Sequence, residues 1–368
     1  MDILLVCSSL GGGGAERVAI NIGAFFCDVG HNVSIYYWDD KGDRSYSVDK
    51  RIAIHKSPVR NFFSRTLRLR RLLQEKTVDV VIGFTDMPNI SVYLSRIGAR
   101  SSAAFVATIH NDLRLRDSSV HLNWKTRLIR FIHRRACVFA DKVVVVSEGA
   151  KKSLSDYYNL SESDLVRIYN PIFEMAIVVP MKPNISPPLK LIAAGRLSKQ
   201  KNYPLMIKAV KILNEKFHVS CRLYIYGEGE LRPHIENLIS ESGMQGIVSL
   251  CGFIPDLSEK MSDADVFLLS SSWEGFGNVI AEALSVGLRV VSTDCPSGPR
   301  EILADGKYGT LVPVEDAESM ARAVADLIGT TPDYTADQLQ EHLEQFTFQN
   351  VGREYLKLID DVVVRSAR

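Results

Sequence analysis

The chain has 368 residues, 46% of them hydrophobic and 24% charged, which suits two soluble globular domains and excludes a disordered or fibrous chain. A formal net charge of +1 hides an asymmetry: 25 Lys/Arg face 18 Asp/Glu in residues 1–180, and 19 face 25 in residues 181–368, so the basic first half calls for an anionic partner or surface. The six cysteines (7, 27, 137, 221, 251 and 295) have no C-x-x-C spacing, which points to neither a zinc ribbon nor a disulfide framework and fits a reducing cytoplasm.

Residues 2–7 read as a buried strand without a basic leader, so no signal peptide is expected, and no apolar run is long enough to span a bilayer. Gly11-Gly12-Gly13-Gly14 follows, then a helical pattern from Ala15 with Val18, Ile22, Phe25 and Phe26 on its apolar face. Strand, glycine loop and helix give a phosphate-approach geometry. The dinucleotide fingerprint fails, because Glu16 or Arg17 stands where the last glycine belongs, and no Gly-Lys-Ser/Thr supports a Walker loop. Asn32–Tyr37 is the next strand, and Asp39 and Asp40 after it read as turn carboxylates.

Residues 78–83 and 104–109 read as strands with a helix at 91–97 between them, and strands alternating with helices imply a parallel sheet. His110 falls at the carboxyl edge of the second strand, where ligands bind in open α/β sheets. Two stretches interleave basic and apolar residues. Arg60, Arg65, Arg68, Arg70, Arg71 and Lys76 alternate with Phe62, Phe63, Leu67, Leu69, Leu72 and Leu73; Lys125, Arg127, Arg130, Arg134 and Arg135 alternate with Trp124, Leu128, Ile129, Phe131 and Ile132. They read as amphipathic helices, with a footprint on an anionic membrane surface favoured slightly over plain solvation. A strand at 141–147 and a helix at 148–158 complete the first domain, and the proline-rich stretch 173–189 is the linker.

The second domain opens with the strand Leu189–Ala194 and the loop Gly195-Arg196-Leu197-Ser198-Lys199-Gln200-Lys201. Arg196 and Lys201 there make a cationic diphosphate clamp, the first a fork and the second a point charge. The strands 222–226 and 248–253 follow, ending in Gly227-Glu228-Gly229-Glu230 and in Phe253. Asp263-Ala264-Asp265 spells D-x-D, read as a helix end and strand start, and no metal cluster has defensible spacing. The buried strand 266–269 leads into Ser270-Ser271-Ser272-Trp273-Glu274-Gly275-Phe276-Gly277-Asn278 and a helix containing Glu282. Glycines admit a ligand close to the backbone, and a helix starting near Asn278 aims N–H groups and positive dipole at it. Taken alone, Gly-Phe-Gly reads equally as a tight turn and Glu282 as a solvated helix residue. A strand at 289–294, a turn into a helix at 295–302, a strand at 310–312, a helix at 317–328 and an amphipathic segment at 351–364 follow.

Glu-Gly-Phe-Gly followed by Glu282 resembles the donor site of the GT-B glycosyltransferases, specifically the family-four (group 1) retaining enzymes. Gly-Gly-Ala-Glu-Arg near the N-terminus, Arg196 with Lys201, and Gly227–Glu230 match the same family in order. The resemblance covers nearly the whole chain. It implies two Rossmann-like doubly wound domains facing across a cleft: an acceptor-side domain at 1–172, a linker at 173–189, a nucleotide-sugar donor domain at 190–349 and a terminal helix at 350–368 returning to the first domain. It implies that Glu274 positions the sugar and His110 faces it, as catalytic residues. Gly13, Gly14, Arg196, Lys201, Phe253, Phe276, Gly277, Asn278 and Glu282 would bind the donor, with Glu282 on ribose hydroxyls and Phe253 at the base or in the core.

The implied function is retaining, metal-independent transfer of a hexosyl or N-acetylhexosaminyl group from a nucleotide sugar, expected to be a UDP-sugar, to a hydroxyl of a growing, lipid-linked glycan. No cofactor and no nucleic acid partner is expected. The location expected is the cytoplasm, peripheral on the membrane through Arg60–Arg71 and Lys125–Arg135. A GT-B nucleotide-sugar epimerase and a non-catalytic membrane-associated glycosyltransferase subunit are the alternatives.

Overall fold

Strands apolar along their whole length must be covered on both faces, and short strand–helix alternation supplies the cover. The computed structural model describes residues 1–11, 13–39, 47–59, 61–99, 102–118, 123–179 and 184–366, side chains excepted at the last two. Gly12, Asp40 and Arg60 of the sequence reading lie outside these. The chain forms two units, Met1–Met175 with Gln345–Arg368, and Ala176–Glu344.

The first unit contains β1 (Asp2–Val6), α1 (Gly14–Asp28), β2 (Asn32–Tyr37), β3 (Ala53–Lys56), α2 (Phe62–Glu75), β4 (Val80–Phe84), α3 (Asp86–Arg96), β5 (Ala104–Ile109), α4 (Leu113–Ser118), α5 (Trp124–Phe139), β6 (Lys142–Val145), α6 (Glu148–Tyr158) and β7 (Leu165–Arg167). The second contains β8 (Leu189–Ala194), α7 (Tyr203–Glu215), β9 (Cys221–Tyr226), α8 (Arg232–Glu241), β10 (Val248–Gly252), α9 (Ser258–Ser262), β11 (Val266–Leu269), α10 (Asn278–Ser285), β12 (Arg289–Thr293), α11 (Pro299–Ile302), β13 (Thr310–Val312), α12 (Ala317–Asp326) and α13 (Ala336–Leu343). Helix α14 (Phe348–Ser366) packs on the first unit, its Val351, Tyr355 and Ile359 in one cluster with Phe25 and Phe26 of α1.

Strand order is β3-β2-β1-β4-β5-β6-β7 in one sheet and β10-β9-β8-β11-β12-β13 in the other, and every pairing is parallel. Both are doubly wound Rossmann-like sheets that reverse direction of growth between their first and fourth strands, β1/β4 and β8/β11. The loops leaving those strands at their carboxyl ends are the places where each unit can take a ligand.

The structure changes two parts of the sequence reading. The basic stretches do form helices, but not all their cations face solvent. Arg65 is buried with its guanidinium over the rings of Trp38 and Phe62, Arg70 donates to the Ile97 and Gly98 carbonyls at the end of α3, Arg130 pairs with Asp117, and Arg134 donates to the Tyr158 carbonyl. Those four are spent on packing and capping, because a helix lying on a sheet must turn part of every polar stripe inward. Helix α3 also begins at Asp86, well before residue 91.

Candidate active site

In the second unit β8 and β11 are hydrogen-bonded neighbours, so the loops after them lie side by side. The β8 loop turns through Gly195 to a short 3-10 turn at Lys199–Lys201, and the β11 loop runs from Ser270 to Gly277. They are stitched together: Ser272 N donates to Gln200 O at 2.9 Å, and Ser270 Oγ to Lys201 O at 2.7 Å. Across this seam Lys201 Nζ meets Glu274 Oε1 at 2.6 Å. Ser271 Oγ donates to the same oxygen at 2.6 Å, and Gln200 Nε2 lies 3.4 Å from Oε2 and donates to Trp273 O at 2.9 Å.

Glu274 is thus 5% exposed but surrounded by donors, the arrangement a buried carboxylate needs. Oε1 is committed to Lys201 and Ser271, while Oε2 has only the long Gln200 contact among the protein bonds described. Its charge reaches Tyr203 and Cys295, whose hydroxyl and thiol are pushed well above their ordinary values by burial first and by Glu274 second. Cys295 is an inert neighbour, since the thiolate is the reactive form.

Gly277 holds the N-cap of α10 at φ 95°, a left-handed conformation, and no side chain caps that helix. Helices α1 and α7 likewise start without a side-chain cap, at Gly13 and Asn202, whereas α2, α5, α6, α12 and α13 are capped by Asn61, Asn123, Ser147, Asp316 and Thr335. Helices α3, α8, α9 and α11 are also uncapped, but the starts of α1, α7 and α10 follow β1, β8 and β11, strands at the two reversal points, and suit an anionic ligand. Phe276 is 2% exposed, so its ring belongs to the core and only its main chain can contact a ligand. Gly298 stands behind it: a Cβ there would lie 1.8 Å from Phe276 O.

Arg196 is exposed on the β8 loop, and Glu282 is half-buried one turn into α10. Phe253, at the carboxyl end of β10, is 43% exposed, which takes it out of the core. Glu228 pairs with Arg232 of α8 at 2.8 Å. The D-x-D carboxylates are at the opposite edge: Asp265 Oδ2 accepts from Lys190 N at 2.8 Å and fastens the start of β8. Among the described residues no group of three His, Cys, Asp or Glu side chains could hold a metal ion.

In the first unit the β1 loop brings Gly13 and Gly14 to the start of α1. Glu16 folds back over Gly13, where a Cβ would meet its carboxylate at 2.0 Å, and its Oε1 lies 3.3 Å from Ser9 Oγ, so Glu16 serves the helix start. His110 follows β5. Its Nε2 is 2.9 Å from Thr108 Oγ1, its ring stacks on Phe84 at 5.8 Å, and burial lowers its pKa to about 4, a hydrogen bond with Asn170 opposing. The imidazole is neutral at pH 7. Sequence reasoning missed Ser271, Gln200 and Thr108, which orient Glu274 and His110; the triple serine before Trp273 was the one available signal for the first.

The family described as Glycosyltransferase Family 4 matches residues 12–173, and the one described as Glycosyl transferases group 1 matches residues 181–345. The chain is 23% identical, over 98% of itself and 99% of the relative, to the Campylobacter jejuni "GalNAc-alpha-(1->4)-GalNAc-alpha-(1->3)-diNAcBac-PP-undecaprenol alpha-1,4-N-acetyl-D-galactosaminyltransferase". It is 27% identical, over 87% of itself and 88% of the relative, to a second C. jejuni enzyme, N-acetylgalactosamine-N,N'-diacetylbacillosaminyl-diphospho-undecaprenol 4-alpha-N-acetylgalactosaminyltransferase. Among solved structures, Anabaena Alr3699/HepE in complex with UDP-glucose superposes with a TM-score of 0.77 at 17% identity, covering 98% of this chain and 100% of that one. With two doubly wound parallel sheets and two family matches that between them cover most of residues 12–345, the protein belongs to the GT-B glycosyltransferases of the family-four, group 1 type.

Proposed function

We propose that this glycosyltransferase moves a hexosyl or N-acetylhexosaminyl group from a UDP-sugar to a hydroxyl of a lipid-linked glycan, with retention and without a metal. The observation that carries the reading is the Lys201–Glu274 contact at 2.6 Å, which supports a cation for the diphosphate held beside a carboxylate for the sugar. In the reaction the bond from the anomeric carbon to the diphosphate breaks, its electron pair leaving with the diphosphate. The acceptor oxygen bonds that carbon and releases its proton. Arg196, Lys201 and the start of α10 neutralise the departing charge, the work a metal would otherwise do. Glu282 holds ribose hydroxyls, Phe253 lies against the base, Glu274 Oε2 takes a sugar hydroxyl, and neutral His110 faces the sugar without repelling an oxocarbenium-like carbon. The C. jejuni relatives named for undecaprenol-linked substrates, and a structural neighbour holding UDP-glucose, support the donor and acceptor classes. Nothing in the site favours an epimerase or a non-catalytic subunit.

The test is calorimetric titration with UDP, GDP and ADP in chelator, for the wild type, Arg196→Ala and Glu282→Ala. Metal-free binding of UDP that both variants weaken at least tenfold is the expected result. Binding that requires a divalent ion, or that neither variant alters, overturns the assignment.

A membrane footprint belongs to the same reading. Trp124 (70% exposed), Leu128 and Phe131 lie along one face of α5 beside the exposed Lys125, Arg127 and Arg135, and α2 adds Phe63 (80% exposed) and Leu67 with Arg68 and Arg71. No helix among the described residues is long and apolar enough to cross a membrane. Peripheral attachment at the cytoplasmic face would use these five cations, each contributing roughly 1 kcal/mol near anionic lipid. Trp124→Ser with Phe131→Ser should abolish flotation with phosphatidylglycerol vesicles and leave UDP affinity unchanged; unaltered flotation rejects the footprint.

A further inference from the structure

Helix α3 packs against both α2 and α5, the helices with basic and apolar exposed faces. At its carboxyl end lies a cavity of about 320 Å³ lined by Tyr93, Arg96, Ile97, Gly98, Phe105 and Phe139. Phe105, 1% exposed, forms its floor, while Ile97 and Phe139, 50% and 63% exposed, form its rim. The Tyr93 and Phe139 rings meet at 5.2 Å along one wall, and the Arg96 guanidinium lies 6.0 Å from the centre of the Phe105 ring. Such a volume is at the small end of ligand sites, about 300–1,000 Å³. The transfer chemistry does not use it. Phe105 is the second residue of β5 and His110 follows the last, about 17 Å further along the strand.

Continuity and charge point to the occupant. Trp124, Leu128, Phe131, Val138 and Phe139 are all exposed and fall within about a third of the circumference of α5, so they form one stripe, about 22 Å long, that ends at the cavity rim. Arg127 and Arg135 stand exposed on the same face. Two more cations belong to the cavity: Arg96 lines it, and Arg70 of α2 donates to Ile97 O at 3.1 Å and to Gly98 O at 2.8 Å. Against them stands Asp141, whose Oδ2 lies 3.8 Å from Arg96 and accepts from Phe105 N at 2.7 Å. Carbonyl partners do not neutralise Arg70, so the site keeps a net positive charge over an apolar floor. An amphiphile with an apolar tail and an anionic head matches both halves.

We propose that the cavity between α3 and α5 binds one acyl chain of an anionic phospholipid, with the chain end against Phe105 and Tyr93 and the phosphate at Arg96 and Arg70. This rests on the membrane footprint proposed above for the source of the lipid, while the cavity itself belongs to the first unit alone. A chain drawn from the bilayer removes Ile97 and Phe139 from water, which a helix lying flat on headgroups does not require. It also fixes how deep α5 sits, because the phosphate and the chain end are held at two different heights.

The experiment titrates the full chain calorimetrically with dihexanoylphosphatidylglycerol below its micelle concentration, so that no bilayer is needed. Dihexanoylphosphatidylcholine and glycerol 3-phosphate control for headgroup and chain. Saturable binding of the phosphatidylglycerol is expected, at least tenfold tighter than the phosphatidylcholine, with none for glycerol 3-phosphate. Phe139→Asp, at the exposed rim where the fold tolerates a polar residue, and Arg96→Gln should each weaken it at least tenfold. Arg96→Lys should stay within about threefold of the wild type, and UDP affinity should hold in all three. No saturable binding, equal binding of the two lipids, or binding unaltered by Phe139→Asp overturns the proposal. A second arm places phosphatidylglycerol with a diazirine at the end of one acyl chain in the flotation vesicles, and cross-links to Tyr93, Phe105 or Phe139 are expected. Protein that floats but is cross-linked only between Trp124 and Phe131 keeps the footprint and overturns the cavity. Saturable binding of the monomeric lipid without flotation keeps the cavity and rejects the footprint.

Discussion

Burying a carboxylate and an ammonium together is stabilising only while both remain, because either one left alone loses its solvent without compensation. Glu274 and Lys201, with side chains 7% and 15% exposed, are such a pair. Lys201→Met should therefore lower the stability of the second unit by about 3 kcal/mol, and Lys201→Met with Glu274→Gln should recover part of that loss, both read from urea unfolding. An additive double variant would mean that the two groups are not coupled. His110 makes a residue-scale prediction of the other sign. Its folded pKa of about 4 lies below the ordinary 6.5, so between those values the unfolded chain takes up a proton that the folded one refuses. The stability contributed is intact above pH 6.5 and lost as pH falls toward 4. His110→Gln, which keeps a donor toward Thr108, should flatten that part of the stability curve by on the order of 3 kcal/mol. At this scale the sequence pointed to Lys201, Glu274 and His110 as candidates, since glycines and charges beside strand ends announce themselves. It did not show that Lys201 and Glu274 touch, because a contact 73 positions apart depends on strand order, which no local pattern encodes.

The β11–α10 loop is held from behind by the β12–α11 turn. Gly298 has φ 96° and faces Phe276 O so closely that any side chain would push the Gly275–Gly277 backbone away. Gly298→Ala should cost about 1–3 kcal/mol of stability and lower UDP affinity at least tenfold, although residue 298 need touch no ligand; calorimetry on the folded variant checks it. Unchanged affinity would show that the loop's position is set elsewhere. Many strands were legible from their apolar runs: β2, β5, β8, β11 and β13 have the limits those runs suggest, whatever their burial. Strand β3 was missed because three of its four residues are exposed, and α4 because six residues are too few for a helical period. Helix α13 had a readable signal, the capping box of Thr335 and Gln338. The basic helices were found, but their rotation was not, since Arg65 points to Trp38, which lies just beyond β2 and outside α2.

The chain passes from the first unit to the second at Met175 and back at Gln345, so one unit is continuous and the other is closed by the chain's end. A large apolar cluster of the second unit is built from buried residues between Ile185 and Val324, all within that unit, which gives it the means to fold alone. The first unit's core needs α14: Val351, Tyr355, Leu358, Ile359 and Val362 are buried there, and Gly352 leaves room for the Phe25 ring. Five buried side chains at about 1.5–3 kcal/mol each amount to roughly 10 kcal/mol, comparable with the whole stability of a domain. A chain ending at Glu344 should therefore lose protection from hydrogen exchange throughout α1 and β1–β7 while residues 189–326 keep theirs. The same truncation should keep UDP affinity within about threefold of the full chain, because Arg196, Lys201, Phe253 and Glu282 all belong to the unit that survives. Protection lost equally in both units would mean that they unfold as one. Protection lost only in the first unit, together with lost UDP binding, would move an essential part of the donor site onto the first unit, with Gly13, Gly14 and His110 as the residues to substitute next.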